Sequence, residues 1–179
     1  MEITLIRHLP TEWNKRQTLQ GKRDIPILPI SEQDQSDIVK NAQLLKGQHF
    51  DVVLCSSLQR TQETAYAYGY VPKIEPLLNE LDFGSFEGRP KNELLKKYGD
   101  IWIQNPREML LGESIQNLEQ RIILFLEKYK YATNILAFGH GSWMRALISY
   151  FQFGHINQMN KLTVRNNECI SLEFISIEA

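Results

Sequence analysis

The 179-residue chain lacks any apolar run near the roughly 20 residues that a membrane-spanning helix needs. It opens directly on EITLIR, with no basic segment and long apolar stretch ahead of it. No membrane partner is expected, and a cytoplasmic location is. Cysteine is scarce: Cys55 and Cys169 each sit in an apolar run, which excludes a disulfide scaffold and fits a reduced protein with buried thiols. Basic charge is not in excess. Lys and Arg total 20 against 21 Asp and Glu, a net charge of −1, which argues against a nucleic-acid partner. The four histidines (8, 49, 140 and 155) are scattered without metal-site spacing, so no metal and no other cofactor is expected. There is no repeat, low-complexity tract or obvious linker. What is present, 42% hydrophobic and 23% charged residues, fits one soluble globular domain over 1–179 with a sizeable core.

Strand and helix patterns alternate. EITLIR (2–7) reads as a strand, and KRQTLQGKRDIPILPIS, rich in breakers and mixed charge, as a solvated surface loop. Ser31 caps a helix expected over about 32–47, with Ile38, Ala42 and Leu45 at helical spacing. DVVLCSS (51–57) is a second strand, followed by a helix through LQRTQETAYAYGY with Leu58, Ala65 and Tyr68 on one face. KIEPLL is a short strand, and KNELLKKYG a short helix stopped by Gly99. The clearest amphipathic helix spans 114–130, capped by Ser114, with Ile115, Leu118, Ile122, Phe125 and Tyr129 sharing a face. NILAFGHGS runs from a strand into another helix, and CISLEFI closes as a strand. This order predicts an α/β fold: a three-layer α/β/α sandwich around a mainly parallel central sheet.

The stretch ITLIRHLPTEWN poses a physical problem, because an apolar strand ends on Arg7 beside His8. Burying a guanidinium is costly unless an anion meets it. Either Arg7 faces water at the strand end, or it waits for an anionic ligand. Ligands of parallel sheets gather beyond the carboxyl ends of the strands. Three strands end there in Arg7-His8, in Ser56-Ser57 leading to Arg60, and in His140-Gly141. The topology alone brings two Arg and two His to one edge, so Arg7 reads as one wall of an anion pocket.

RHLPTEWN resembles the RHG-x-T-x-x-N signature of the histidine phosphatase superfamily, the phosphoglycerate mutase-like proteins. SSLQRTQETA is similar to that family's S-x-L-x-R-x-x-x-T-A segment, and NELDFGSFEG to its acid-bearing E-x-x-x-G-x-x-E-G segment. GESIQNLEQRI and the late GHG before a helix also resemble it. One such motif is weak; five in order along the chain are specific. The resemblance implies that His8 attacks phosphorus and becomes a phosphohistidine. It implies a cage of Arg7, Arg60, His140 and Asn14 around the phosphoryl oxygens, with the Gly141 N–H at a helix start as a further donor. Neighbouring Arg charges favour the neutral, nucleophilic His8, while His140 is expected to be cationic once phosphate binds. Glu80 is the implied general acid and base, with Asp82 and Glu87 nearby as other carboxylates. A second branch carries Asp after the second His; Gly141 stands there, which places the chain in the Glu branch. Gln20 and Gly21 match the family loop beside the phosphate.

Two departures stand out. The family glycine after the nucleophile is Leu9, before Pro10, and its side chain is expected to narrow the pocket mouth. The D-x-P-L-T-x-x-G stretch reads DIPILPISEQDQ, without its glycine. The expected activity is a cofactor-independent phosphatase acting on a small phosphorylated metabolite. Only about sixty residues separate Glu80 from His140, which favours an open phosphatase site over a phosphoglycerate mutase. A non-catalytic phosphate-binding module is the alternative of another class. Residues 89–113 form the variable segment expected to select the substrate. Because the implied cage is made of Arg, His and backbone donors, chelation with EDTA should leave turnover of an aryl phosphate unchanged. A loss restored by a divalent ion would move the chain to another class of enzyme.

Overall fold

The structure, a computed structural model, describes residues 1–175. The last four positions of the domain expected over 1–179 lie outside them. Strand β1 (Glu2–Arg7) pairs in parallel with β4 (Asn134–Gly139), which pairs in parallel with β2 (Val52–Cys55), and β2 with β3 (Lys73–Ile74). Strand β5 (Cys169–Glu173) lies antiparallel on the outer edge of β1, giving the order β3-β2-β4-β1-β5. The mainly parallel sheet is therefore as expected, and the antiparallel edge is a feature that hydropathy does not encode. The expected strand KIEPLL shrinks to two residues, because Pro76 starts a 3-10 turn over Pro76–Leu78.

Period-2 alternation divides the strand side chains between two cores. Ile3, Leu5, Leu54, Ile135 and Ala137 join the larger core, which takes in α6 (Ile115–Lys128) and α7 (Gly141–Phe153). Ile6, Cys55, Leu136 and Phe138 face the opposite side, against Leu45 of α2 (Glu32–Leu45) and Ala65 of α3 (Gln59–Ala67). Helices on both faces of one sheet make the three layers. Ser31 and Ser114 cap α2 and α6 as their positions foretell, each accepting from a backbone N–H three residues on. Ala42 is exposed, so α2 buries only Ile38 and Leu45 and packs through a narrow stripe. Cys55 is buried, Cys169 half-buried, and both are free thiols.

The stretch expected to be a solvated loop does more than connect. Leu19 and Gln20 are buried, and bridges join Thr11 to Ile27 and Thr18 to Pro90. Short helices missed by periodicity, α1 (Glu12–Lys15) and α5 (Asp100–Gln104), flank the same end of the sheet, with α4 (Lys91–Tyr98) between. They are too brief to show a 3.6-residue pattern. Gly84, at φ +59, shows why a turn here needs glycine: a Cβ would sit 2.7 Å from the Gly112 backbone nitrogen.

Phe125 joins α6 to α7 through an edge-on contact with Trp143 at 5.2 Å between centroids. Its side chain is fully buried. Phe125→Ala should lower unfolding free energy by about 3–5 kcal/mol, the usual range for a large core deletion. Urea denaturation checks it, and a loss below 1 kcal/mol would mean that this layer contact carries little of the stability.

Candidate active site

Register explains the convergence of the candidate residues. Arg7 is the cross-strand partner of Gly139, so His8 lies beside His140, their ring centroids 5.4 Å apart. Cys55 is paired with Phe138, which puts Ser56 at the same level. His140 Nε2 meets Ser56 Oγ at 2.8 Å, and Ser56 Oγ meets Thr61 Oγ1 at 2.8 Å. A cavity of about 210 Å³ opens over this sheet edge. Arg7, His8, Asn14, Gln20, Gly21, Arg60, Glu80 and Gly141 all line it. His140 is fully buried behind His8 and is not on the cavity wall.

The tautomer of His8 is set by its own chain. Nδ1 lies 2.7 Å from the Leu9 carbonyl oxygen, which can only accept, so Nδ1 carries the proton and Nε2 the lone pair. Burial, then Arg60 and Arg7, push His8 well below the ordinary value of 6.5. His140 is likewise held well below it by burial, Arg60, His8 and Arg7. Both rings are thus neutral in this state. The charges that act on His140 within the protein are positive and add to burial, so the cation expected with phosphate bound depends on the phosphate itself.

Arg60 reaches its place through the loop after α1. Its Nη2 donates to the Gly21 carbonyl at 2.8 Å and its Nη1 to the Arg23 carbonyl at 2.6 Å. Gly21 therefore holds the guanidinium through its carbonyl as well as lining the cavity, while Gln20 accepts from the Thr11 hydroxyl at 2.7 Å. Arg7 Nη1 donates to the Val164 carbonyl. Neither guanidinium has a carboxylate in ion-pair contact among the described residues. Their Nε atoms, with His140 Nδ1, are buried without a hydrogen-bond partner among those residues. Burial first, then Arg145, brings Arg7 down to about 10; burial brings Arg60 to about 10. Both stay charged at neutral pH.

Glu80 lies at the N-terminus of α7. Its carboxylate accepts from the Ser142 N–H at 3.0 Å and the Trp143 N–H at 3.1 Å, and from its own neighbour Leu81 at 2.8 Å. The helix start expected to offer the Gly141 N–H to an anion thus already spends its next two donors on this carboxylate. The glycine itself allows close approach, since a Cβ there would lie 3.1 Å from Arg7 Cζ. Asp82, the rival carboxylate, turns away to accept from the Gly84 N–H and to face Lys22. Glu87 accepts from the Lys22 N–H.

Leu9 does not narrow the pocket mouth. Its side chain is buried, it does not line the cavity, and its N–H donates to Thr64 Oγ1 at 2.9 Å. Its φ is not in the left-handed region, so the missing glycine costs no torsional strain. Sequence reasoning missed Arg145 and Lys91, which also line the cavity. Arg145 had a signal: it lies four residues after Gly141, one turn along α7 on the same face. Lys91 had little, since a lysine at the start of an exposed helix is ordinary. The rest of the wall is mostly apolar, from Leu19, Phe83, Leu94, Leu95 and Trp102, with Thr18 and Ser142. Lys91, Leu94, Leu95 and Trp102 all come from the segment 89–113.

A bare imidazole nitrogen ringed by guanidinium donors, with a carboxylate opposite, is a constellation for phosphoryl transfer through histidine. The histidine phosphatase superfamily (branch 1) matches residues 3–177, and the chain belongs to it. Its relatives include an uncharacterized phosphatase PhoE of Bacillus subtilis, 29% identical over 96% of this chain and 88% of the relative. A 2,3-bisphosphoglycerate-dependent phosphoglycerate mutase of Cytophaga hutchinsonii is 29% identical, covering 84% of this chain and 76% of the relative. The crystal structure of the alpha-ribazole phosphatase from Shigella flexneri superposes with a TM-score of 0.78 at 26% identity, covering 98% of this chain and 92% of that one. Among the described residues no helix is long and apolar enough to cross a membrane.

The two neutral histidines make stability depend on pH. Both have folded values below the ordinary 6.5, so the unfolded chain takes up protons that the folded chain refuses. Stability should therefore fall as pH drops below about 6.5, by up to about 1.4 kcal/mol per pH unit for each histidine. Urea melts from pH 7.5 to 5 check this. The slope should flatten in His8→Asn, and an unchanged slope would show that other groups dominate.

Proposed function

We propose that this chain hydrolyses a small phosphomonoester through a phosphohistidine on His8, without a metal or other cofactor. The observation that carries the reading is the His8 tautomer. A carbonyl fixes Nδ1–H, leaving the Nε2 lone pair on an imidazole that burial, Arg60 and Arg7 keep neutral. In the first step Nε2 bonds to phosphorus, the ester P–O bond breaks, and Glu80 gives the leaving oxygen a proton. In the second, water bonds to phosphorus, gives its proton to Glu80, and the P–N bond breaks. Arg7, Arg60 and Asn14 supply donors for the phosphoryl oxygens, whose charge rises during transfer, and His140 backs His8 from behind. The α7 start, with Gly141, holds Glu80 against the same group.

The cavity also bears on the substrate. Arg7, Arg60, Lys91 and Arg145 line it, with Glu80 as the one carboxylate among the described residues. A phosphoryl dianion leaves this wall with surplus positive charge, which supports a leaving group that carries a second anionic group. The mutase relative keeps phosphoryl return to a second hydroxyl as the competing outcome. A screen of phosphorylated metabolites with purified protein tests the reading. Phosphate release without isomer exchange supports a phosphatase, and exchange without release supports a mutase.

Glu80→Gln separates the two steps. Phosphoryl transfer from an alkyl phosphate should slow by ~10²–10⁴, because an alkoxide needs a proton to leave. A nitrophenyl phosphate should still phosphorylate His8, and the second step should then lag, so a pre-steady-state burst larger than in wild type is expected. Acid-labile, base-stable label on His8 identifies the intermediate, and His8→Ala should abolish it. Equal slowing for both substrates with no burst would shift the acid role to another carboxylate; full activity in His8→Ala would end the mechanism.

A further inference from the structure

We infer that Asn166, in the turn leading into β5, is a positioning residue for this site: it holds the Asn14 side-chain amide so that its NH₂ end, not its oxygen, faces the phosphoryl group. The inference rests on the reading of the cavity as a phosphoryl site.

The turn closes over the end of β1. The Arg7 N–H donates to the Glu168 carbonyl at 3.1 Å, and the Asn167 N–H to the Arg7 carbonyl at 3.0 Å. Asn166 Nδ2 donates twice, to the His8 carbonyl at 3.0 Å and to Asn14 Oδ1 at 3.2 Å. Asn14 Oδ1 also accepts from the Thr11 N–H at 3.0 Å.

A side-chain amide has an accepting end and a donating end, and a half-turn exchanges them. Here both orientations are fixed from outside. The His8 carbonyl can only accept, so it fixes Asn166 with its NH₂ inward. The Thr11 N–H can only donate, so it fixes Asn14 with Oδ1 toward Asn166. Asn14 Oδ1 is thus held from two sides, by the Thr11 N–H and by the independently fixed Asn166 NH₂. A half-turn of Asn14 would set its NH₂ against two donors and its oxygen against the phosphoryl oxygens.

The turn that carries Asn166 is itself held. Asn167 is buried at φ +62, and Tyr68 O–H donates to its Oδ1. Its carbonyl accepts from Asn41 Nδ2 at 2.8 Å. Asn41 belongs to α2, and Tyr68 closes α3, so the layer behind the sheet anchors the residue that orients the front.

A double-mutant cycle on phosphate binding tests this. The dissociation constant of inorganic phosphate is measured by calorimetry for wild type, Asn166→Ala, Asn166→Asp, Asn14→Ala and the Asn14→Ala/Asn166→Ala pair. Asn166→Ala should weaken phosphate binding about tenfold, the scale of one lost charge-assisted hydrogen bond. Asn166→Asp, nearly the same shape but accepting where Asn166 donates, should weaken it further. In the Asn14→Ala background the loss from Asn166→Ala should shrink to less than about twofold, because the group it acts through is gone. Losses that add in the double variant would overturn the inference, as would unchanged binding in Asn166→Asp. If wild type binds phosphate but forms no phosphohistidine, the catalytic reading fails while this coupling can still hold. If wild type binds no phosphate, the site reading falls and the inference with it.

Discussion

Two guanidinium groups packed against backbone carbonyls, with no carboxylate in ion-pair contact among the described residues, set the conditions for everything else at this site. Arg60 is buried under the carbonyls of Gly21 and Arg23, and Arg7 is tied to that of Val164. A carboxylate partner would satisfy each charge and end its use for a ligand. Carbonyls fix the direction of the fork, carry only partial charge, and leave the guanidinium electrostatically unsatisfied. Burial first, and then the same charge, suppress protonation of His8 and His140. The charge that would attract an anion thus also favours a neutral imidazole.

That arrangement demands a rigid frame, since like charges held close will part if they can. The frame is the parallel core of the sheet, in which β1, β4 and β2 end at one level and deliver Arg7, His140 and Ser56 side by side. Loops complete it. The 18–31 segment wraps Arg60, Thr64 ties α3 to the Leu9 N–H, and the turn before β5 holds the carbonyls of Arg7 and His8. The antiparallel strand β5 has a purpose in this light: it brings that turn to the mouth of β1.

Glu80 sits where two demands meet. The α7 N-terminus attracts an anion, and the carboxylate satisfies two of its N–H groups. The same position keeps an acid beside Arg7 and Arg145 without a direct ion pair to either among the described residues. Beyond it the wall turns apolar through Phe83, Leu94 and Trp102. The cavity lining therefore combines cationic and apolar side chains.

The chain's own order of residues determined the layers, the strand ends and most of the site. Hydrophobic periods of 2 and 3.6 mark β1, β2, β4 and α6, and Arg7, His8, Arg60 and His140 fall at strand ends that a parallel sheet must align. Leu9 shows the limit of local reading. Its identity suggested a narrowed mouth, whereas the backbone turns it into the interior, a direction fixed by what packs around it. Arg145 could have been read from its place one turn after Gly141, whereas Lys91 and Asn166 carried no such signal, because each comes near the cavity through segments far away in the chain. Asn166 reaches Asn14 across 152 positions. Sequence periodicity reports which face of an element is buried. It carries no record of which distant element supplies the other half of a hydrogen bond, and only the packed tertiary structure decides that.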